Sequence, residues 1–181
     1  MKRALTFCAT RIAHPASALF TTRQMAASQV INAPSHEASR GLKSVFLAGS
    51  TSSGQNWRYE LTSSLSTFPI TFFNPDRPDW DSSWREDINF EPWNEQVSWE
   101  LEKQSTADVV VVFFHPDTKA PISLLEFGLS SREPAKVIAV CPEGYWKRAN
   151  VQLVSQKLGI EFLDNFDQLK GSILKKLAMD V

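Results

Sequence analysis

Residues Ala107 to Ser131 read ADVVVVFFHPDTKAPISLLEFGLSS, and the reading of this stretch decides the fold. Val109 to Phe114 is an unbroken β-branched and aromatic run without polar alternation, the pattern of a strand buried on both faces of a parallel sheet. It predicts the central strand. His115 to Pro121 breaks the run with two prolines. Ser123-Leu124-Leu125-Glu126 then has the S-x-x-E spacing of a capping box, predicting a helix that opens there and runs through Leu129. Strand, loop and helix N-terminus in that order is where open α/β sheets bind ligands.

Glu126 is the candidate for chemistry. In the first turn of a helix a carboxylate is held ionised by the partial positive charge at that end, which suits a nucleophile or a polar ligand contact. The same spacing has a structural reading, in which the glutamate reaches back to the Ser123 amide as the second half of the box.

Working outward, Ser44 to Ala48 (SVFLA) predicts a strand that runs into the small residues Gly49, Ser50, Thr51, Ser52, Ser53 and Gly54. Such a loop lets backbone amides face a phosphate or sugar, and it serves equally as a plain strand-to-helix connection. Trp57 to Leu65 has helical spacing, and Ile70 to Phe73 returns to strand before Asn74-Pro75. Asp76 to Asp87 (DRPDWDSSWRED) is dense in Trp, Asp and Arg with no period, and predicts an ordered loop over one face of the sheet. Arg77, Asp79 and Asp81 are candidates there for a sugar or phosphate, or a surface charge cluster with no ligand.

Glu91 to Thr106 predicts a helix with Trp93, Val97 and Leu101 on its apolar face and Gln96 and Glu100 beside them; by default Glu100 is a solvated helix residue. Lys136 to Cys141 is a further buried strand, Asn150 an N-cap for a helix from Val151 to Leu158 closed by Gly159, Ile160 to Leu163 a last short strand, and Phe166 to Met179 a terminal helix. The alternation predicts an α/β fold, an open parallel sheet of about five strands with helices on both faces.

At 181 residues, 43% hydrophobic and net charge -1, the chain has the size of one domain with a proper core. No basic face points to nucleic acid, and no run is long and apolar enough to span a bilayer. Two cysteines, Cys8 and Cys141, suggest neither a disulfide framework nor a metal site, and the chain reads as soluble and intracellular. Residues 1–40 set Lys2, Arg3, Arg11, Arg23 and Arg40 among Ala, Ser and Thr, with Glu37 the only acid. That composition fits a mitochondrial transit peptide, or a disordered tail upstream of an alternative start at Met25. The folded domain is accordingly expected from residue 41, in the cytoplasm or mitochondrial matrix.

Four features, taken in order, give the chain a family resemblance: VFLAGS at 45–50, NPDRPDW at 74–80, WEL at 99–101 followed by Ala107-Asp108 and a hydrophobic strand, and ISLLEFGL at 122–129. Together they resemble the nucleoside 2-deoxyribosyltransferases and the related deoxynucleotide N-glycosidases. The resemblance implies a flavodoxin-like sheet and chemistry at a glycosidic bond, with no cofactor or metal. It places the nucleophile on Glu126 and a second acid on Glu100. It implies a homo-oligomer in which a neighbouring subunit lends an asparagine, matched here by Asn150. Gly49, Ser50, Asn74, Arg77, Asp79 and Ser123 are the further candidate substrate contacts. The family tyrosine that orients the nucleophile falls on Phe46, and a further family acid falls near Ala120, with Asp117 the nearest substitute. The glycosidase branch carries an arginine in its first loop for a 5′-phosphate; Ser50 to Gly54 has none.

The leading expectation is an enzyme that cleaves or transfers the N-glycosidic bond of a nucleoside or nucleotide. The alternative is a non-catalytic nucleotide-sensing module of the same fold, favoured by Phe46 and Ala120.

Overall fold

The computed structural model describes residues 27–50 and 56–179. One parallel sheet contains β1 Gln29–Asn32, β2 Lys43–Gly49, β3 Ile70–Asn74, β4 Val109–Phe113, β5 Val137–Val140 and β6 Glu161–Leu163, in spatial order β1-β3-β2-β4-β5-β6. It has six strands where the sequence predicts about five. The run VVVVF is buried at every position, and β4 lies in the middle of the sheet between β2 and β5.

The sixth strand is β1, and it corrects the boundary drawn at residue 41. Gln29 to Asn32 pairs with β3 from Thr71 to Asn74, inside the stretch assigned by composition to a leader. Its burial alternates, as an edge strand requires, with Ile31 inside and Val30 outside. Gln29 also anchors the segment between β1 and β2: its Oε1 accepts from the Arg40 amide at 2.8 Å and from Thr71 Oγ1 at 3.1 Å. Residues 1–26, Met25 among them, lie outside the described residues, as do 51–55 after β2.

Among the described residues five helices flank the sheet: α1 Trp57–Ser64, α2 Glu91–Thr106, α3 Pro121–Ser130, α4 Arg148–Leu158 and α5 Leu169–Lys176. The sheet sorts its side chains by parity. Val45, Leu47, Val109, Val111, Ile138 and Val140 pack with Trp57, Leu61, Leu169 and Ile173 of α1 and α5. Phe46, Ala48, Val110, Val112, Val137 and Ala139 pack with Trp99, Phe127 and Val151 of α2, α3 and α4.

Three helices differ from their sequence-based readings. In α2 the buried positions are Gln96, Trp99 and Gln104, whereas Leu101 is 49% exposed. The apolar Trp93/Val97/Leu101 stripe is thus not the sheet-facing side. Trp99 anchors that side, and amide side chains do the docking: Gln104 Nε2 donates to Glu126 O at 3.0 Å and to Ser130 Oγ at 2.8 Å. Helix α3 begins at Pro121, two residues before the predicted capping box, because a proline at the first helical position comes with its φ preset. Ala120 is the N-cap with φ +43°, and no side chain caps the helix. Helix α4 begins at Arg148, so Asn150 is its third residue and not its cap. It ends at Gly159 with φ +74°, the left-handed stop the sequence predicts.

Candidate active site

At the C-terminal edge of the sheet, β2, β3 and β4 release their chains in three directions and leave a cleft of about 680 Å³. That is ample for a nucleoside-sized ligand. Two positions set its floor. A Cβ on Gly49, where φ is +135°, would come within 2.5 Å of Phe113 O, so the closeness of β2 to β4 here requires glycine. Ser50 then ties the end of β2 to the loop after β4: its amide donates to Phe113 O at 3.0 Å, and its Oγ accepts from the His115 amide at 3.2 Å and shares a 2.6 Å hydrogen bond with Thr118 Oγ1.

Glu126 enters this cleft from the second turn of α3. The capping-box geometry is absent, and so is the dipole argument that went with it: Glu126 is the sixth helical residue, beyond the reach of the N-terminal amides. Burial pushes its carboxyl up to about 8, the negative charge of Glu100 pushes the same way, and Arg58 opposes both. Far from being held ionised, the Glu126 carboxyl keeps its proton at neutral pH.

Glu100 faces the same cleft from α2, which makes it a site-lining residue where sequence spacing suggested a solvated one. Its carboxyl is also raised, first by burial, with the Gln96 hydrogen bond and the Arg58 charge pulling it back. Gln96 is 4% exposed, and its Nε2 donates to Pro75 O at 2.9 Å and to Glu100 Oε1 at 2.7 Å. Pro75 O can only accept, so the amide orientation is fixed by chemistry. Gln96 Oε1 is buried and has no hydrogen-bond partner among the described residues.

Arg58 is the residue sequence reasoning missed. It sits on the buried side of α1, 4% exposed, with Nε donating to Leu47 O, Nη2 to Gly49 O and Nη1 to Asp76 Oδ1 at 2.8 Å. A signal for it existed: in WRYEL an arginine stands beside Trp57 on the side of the helix that Leu61 and Thr62 continue inward.

Across the cleft mouth the loop after β3 forms an aromatic cluster. Trp80 lies 5.2 Å from Trp84 and 5.5 Å from Trp93 between ring centroids; it lines the cleft and is 46% exposed. Arg77 holds this loop together, pairing with Asp79 at 2.9 Å and Glu95 at 3.0 Å while its guanidinium lies 4.9 Å over the Trp84 ring.

Of the residues named from sequence, Gly49, Ser50, Arg77, Glu100, Ser123 and Glu126 line this one cleft. Asn74 and Asp79 do not line it: Asn74 Nδ2 donates to Asn32 Oδ1, and Asp79 Oδ1 accepts from Arg77 Nε. Asn150 is exposed on α4. Phe46 is fully buried in the apolar core, 6.4 Å from the Trp99 ring.

A family model described as nucleoside 2-deoxyribosyltransferase like matches residues 42–145, more than half of the chain. The chain belongs to the nucleoside 2-deoxyribosyltransferase-like family. No curated protein sequence matches it. The matched range takes in every residue lining the deoxyribosyltransferase-like cleft and ends before Asn150. Among the described residues no cluster of His, Cys, Asp and Glu is arranged to hold a metal ion, and no helix is long and apolar enough to cross a membrane.

Proposed function

We propose that this cleft breaks the N-glycosidic bond of a nucleoside through a covalent intermediate on Glu126. The observation that carries this reading is the convergence of Glu100 and Glu126, from separate helices, on one cleft in a chain of this family. Breaking such a bond develops positive charge on the sugar, so one carboxylate must face the anomeric carbon while an acid assists the leaving base.

In the proposed sequence, the proton that Glu126 holds at neutral pH passes to Glu100 as the nucleoside binds, and a Glu126 carboxylate oxygen bonds to the anomeric carbon as the carbon–nitrogen bond breaks. The electron pair leaves with the base, which takes the proton held by Glu100. Water or an acceptor base, deprotonated by Glu100, then attacks the same carbon, and the pair of the ester bond returns to Glu126. Water gives a hydrolase and a base gives a transferase. Trp80 offers an aromatic face on which the base stacks. A second copy of the chain is proposed to cover the outer faces of α2 and α3, where Leu101, Ile122, Leu125 and Leu129 are exposed.

The test is intact-mass analysis after rapid quenching with nucleoside present. The reading expects an adduct of one glycosyl unit, lost in Glu126→Gln. A second reading, a non-catalytic nucleotide-binding module, draws on the apolar burial of Phe46, which supplies no hydroxyl to the nucleophile. Ligand binding with neither adduct nor turnover would select it.

A further inference from the structure

Strand β3 stops short of its neighbour. Pairing between β2 and β3 ends at Phe46 opposite Phe73, while β2 continues beside β4 as far as Gly49 opposite Phe113. Arg58 takes the place of the missing strand, donating from Nε to Leu47 O at 3.0 Å and from Nη2 to Gly49 O at 3.0 Å. Buried carbonyls need donors, but a neutral donor would serve. The charge is more than this capping requires. Its ion-pair partner Asp76 is 43% exposed at the side chain, so solvent already screens that carboxylate. The groups left for the charge to act on are Glu100 and Glu126.

We infer that Arg58 is a positioning residue for the glycosyl-transfer step, one that presents a fixed positive charge to Glu100 and Glu126 and keeps one of the two carboxylates ionised. The inference rests on the proposed function for its consequence in turnover, and on the geometry alone for its consequence in titration. The charged group bearing on the pair is Arg58 from α1, itself paired with Asp76 from the loop after β3. Arg77, Asp117 and Lys119 line the wider cleft, with Arg77 already bound by Asp79 and Glu95. Two carboxyls raised by burial both stay protonated without a cation, and a protonated Glu126 cannot attack. Because main-chain carbonyls hold the guanidinium, the charge needs no reorganisation when the nucleophile ionises. Lysine cannot reproduce this, since one ammonium cannot span Leu47 O, Gly49 O and Asp76 together.

The experiment is a carbon-13 NMR titration of glutamate carboxyls in the full chain, for wild type, Arg58→Gln and Arg58→Lys, with base release against pH alongside. In Arg58→Gln the amide still donates to a carbonyl but the charge is gone. The Glu126 midpoint should rise from about 8 by roughly one pH unit or more, and Arg58→Lys should recover part of that rise. The limb of kcat/KM near 8 should move with it, with kcat falling more than KM changes. An unshifted Glu126 titration in folded Arg58→Gln overturns the inference. If Arg58→Gln does not fold, Arg58→Lys decides alone: an intermediate upward shift supports the inference and an unchanged midpoint overturns it. If the wild type releases no base from any nucleoside, the proposed function fails, while the titration still decides what Arg58 does.

Discussion

Gln96 and Glu100, one turn apart on α2, share a 2.7 Å hydrogen bond in which the amide nitrogen donates to Glu100 Oε1. Because that oxygen is accepting, any proton on Glu100 resides on Oε2, and Gln96 thereby fixes the edge of the carboxyl from which an acid can act. Replacing Gln96 with Met keeps the volume and removes the donor. A hydrogen bond to a charged group contributes about 1.5–3 kcal/mol, so kcat/KM for base release is expected to fall roughly ten-fold or more. Steady-state kinetics with circular dichroism as the folding control checks this.

Glu126 makes the fold less stable as pH rises. Its carboxyl titrates near 8 in the folded chain, above its ordinary value, because burial opposes the charged form. Between those two values the folded state binds more protons than the unfolded one, so the contribution is fully present in mild acid and is lost as pH climbs through about 8. Glu126→Gln removes the ionisation. The variant should exceed wild type in Tm at pH 8.5, with a flatter profile of Tm against pH from 5 to 9. The same titration predicts that wild-type kcat/KM falls as pH climbs through about 8, where the carboxyl pair gives up the proton that the leaving base needs.

Ala120 holds φ +43° immediately before Pro121 and lines the cleft. An alanine in the left-handed region carries about 1 kcal/mol of strain that glycine does not. Ala120→Gly is expected to raise Tm by roughly 2–4 °C in a chain of this size, and calorimetry measures it.

Trp80 is held by Trp84 and Trp93, lines the cleft and is partly exposed. Stacking of a base on an aromatic ring contributes about 1–3 kcal/mol. Trp80→Ala should therefore raise KM roughly ten-fold with kcat less affected, and Trp80→Phe should restore most of the affinity.

The sheet was legible in the sequence wherever burial is two-sided, since VVVVF and VIAV admit no other pattern. β1 was not, because a four-residue edge strand buries alternate positions and sits in an Ala- and Ser-rich stretch. The site was legible where chemistry leaves a motif, as at Glu126 in the ISLLEFGL stretch. It was not legible at Arg58 or Gln96. Their roles come from where β3 stops and from how Pro75 turns the chain, and neither is a local property of the residues concerned. The apolar stripe of α2 misled for a related reason: the docking side of that helix is built from amide side chains.

The most direct measurement is chromatographic detection of free base from the full chain, incubated with a panel of deoxyribo- and ribonucleosides and their monophosphates, with and without an acceptor base. The account predicts that at least one nucleoside yields free base, and that Glu126→Gln lowers the rate by roughly 10³-fold or more while the protein stays folded. Undiminished release in Glu126→Gln, or no release from any member of the panel, would contradict it.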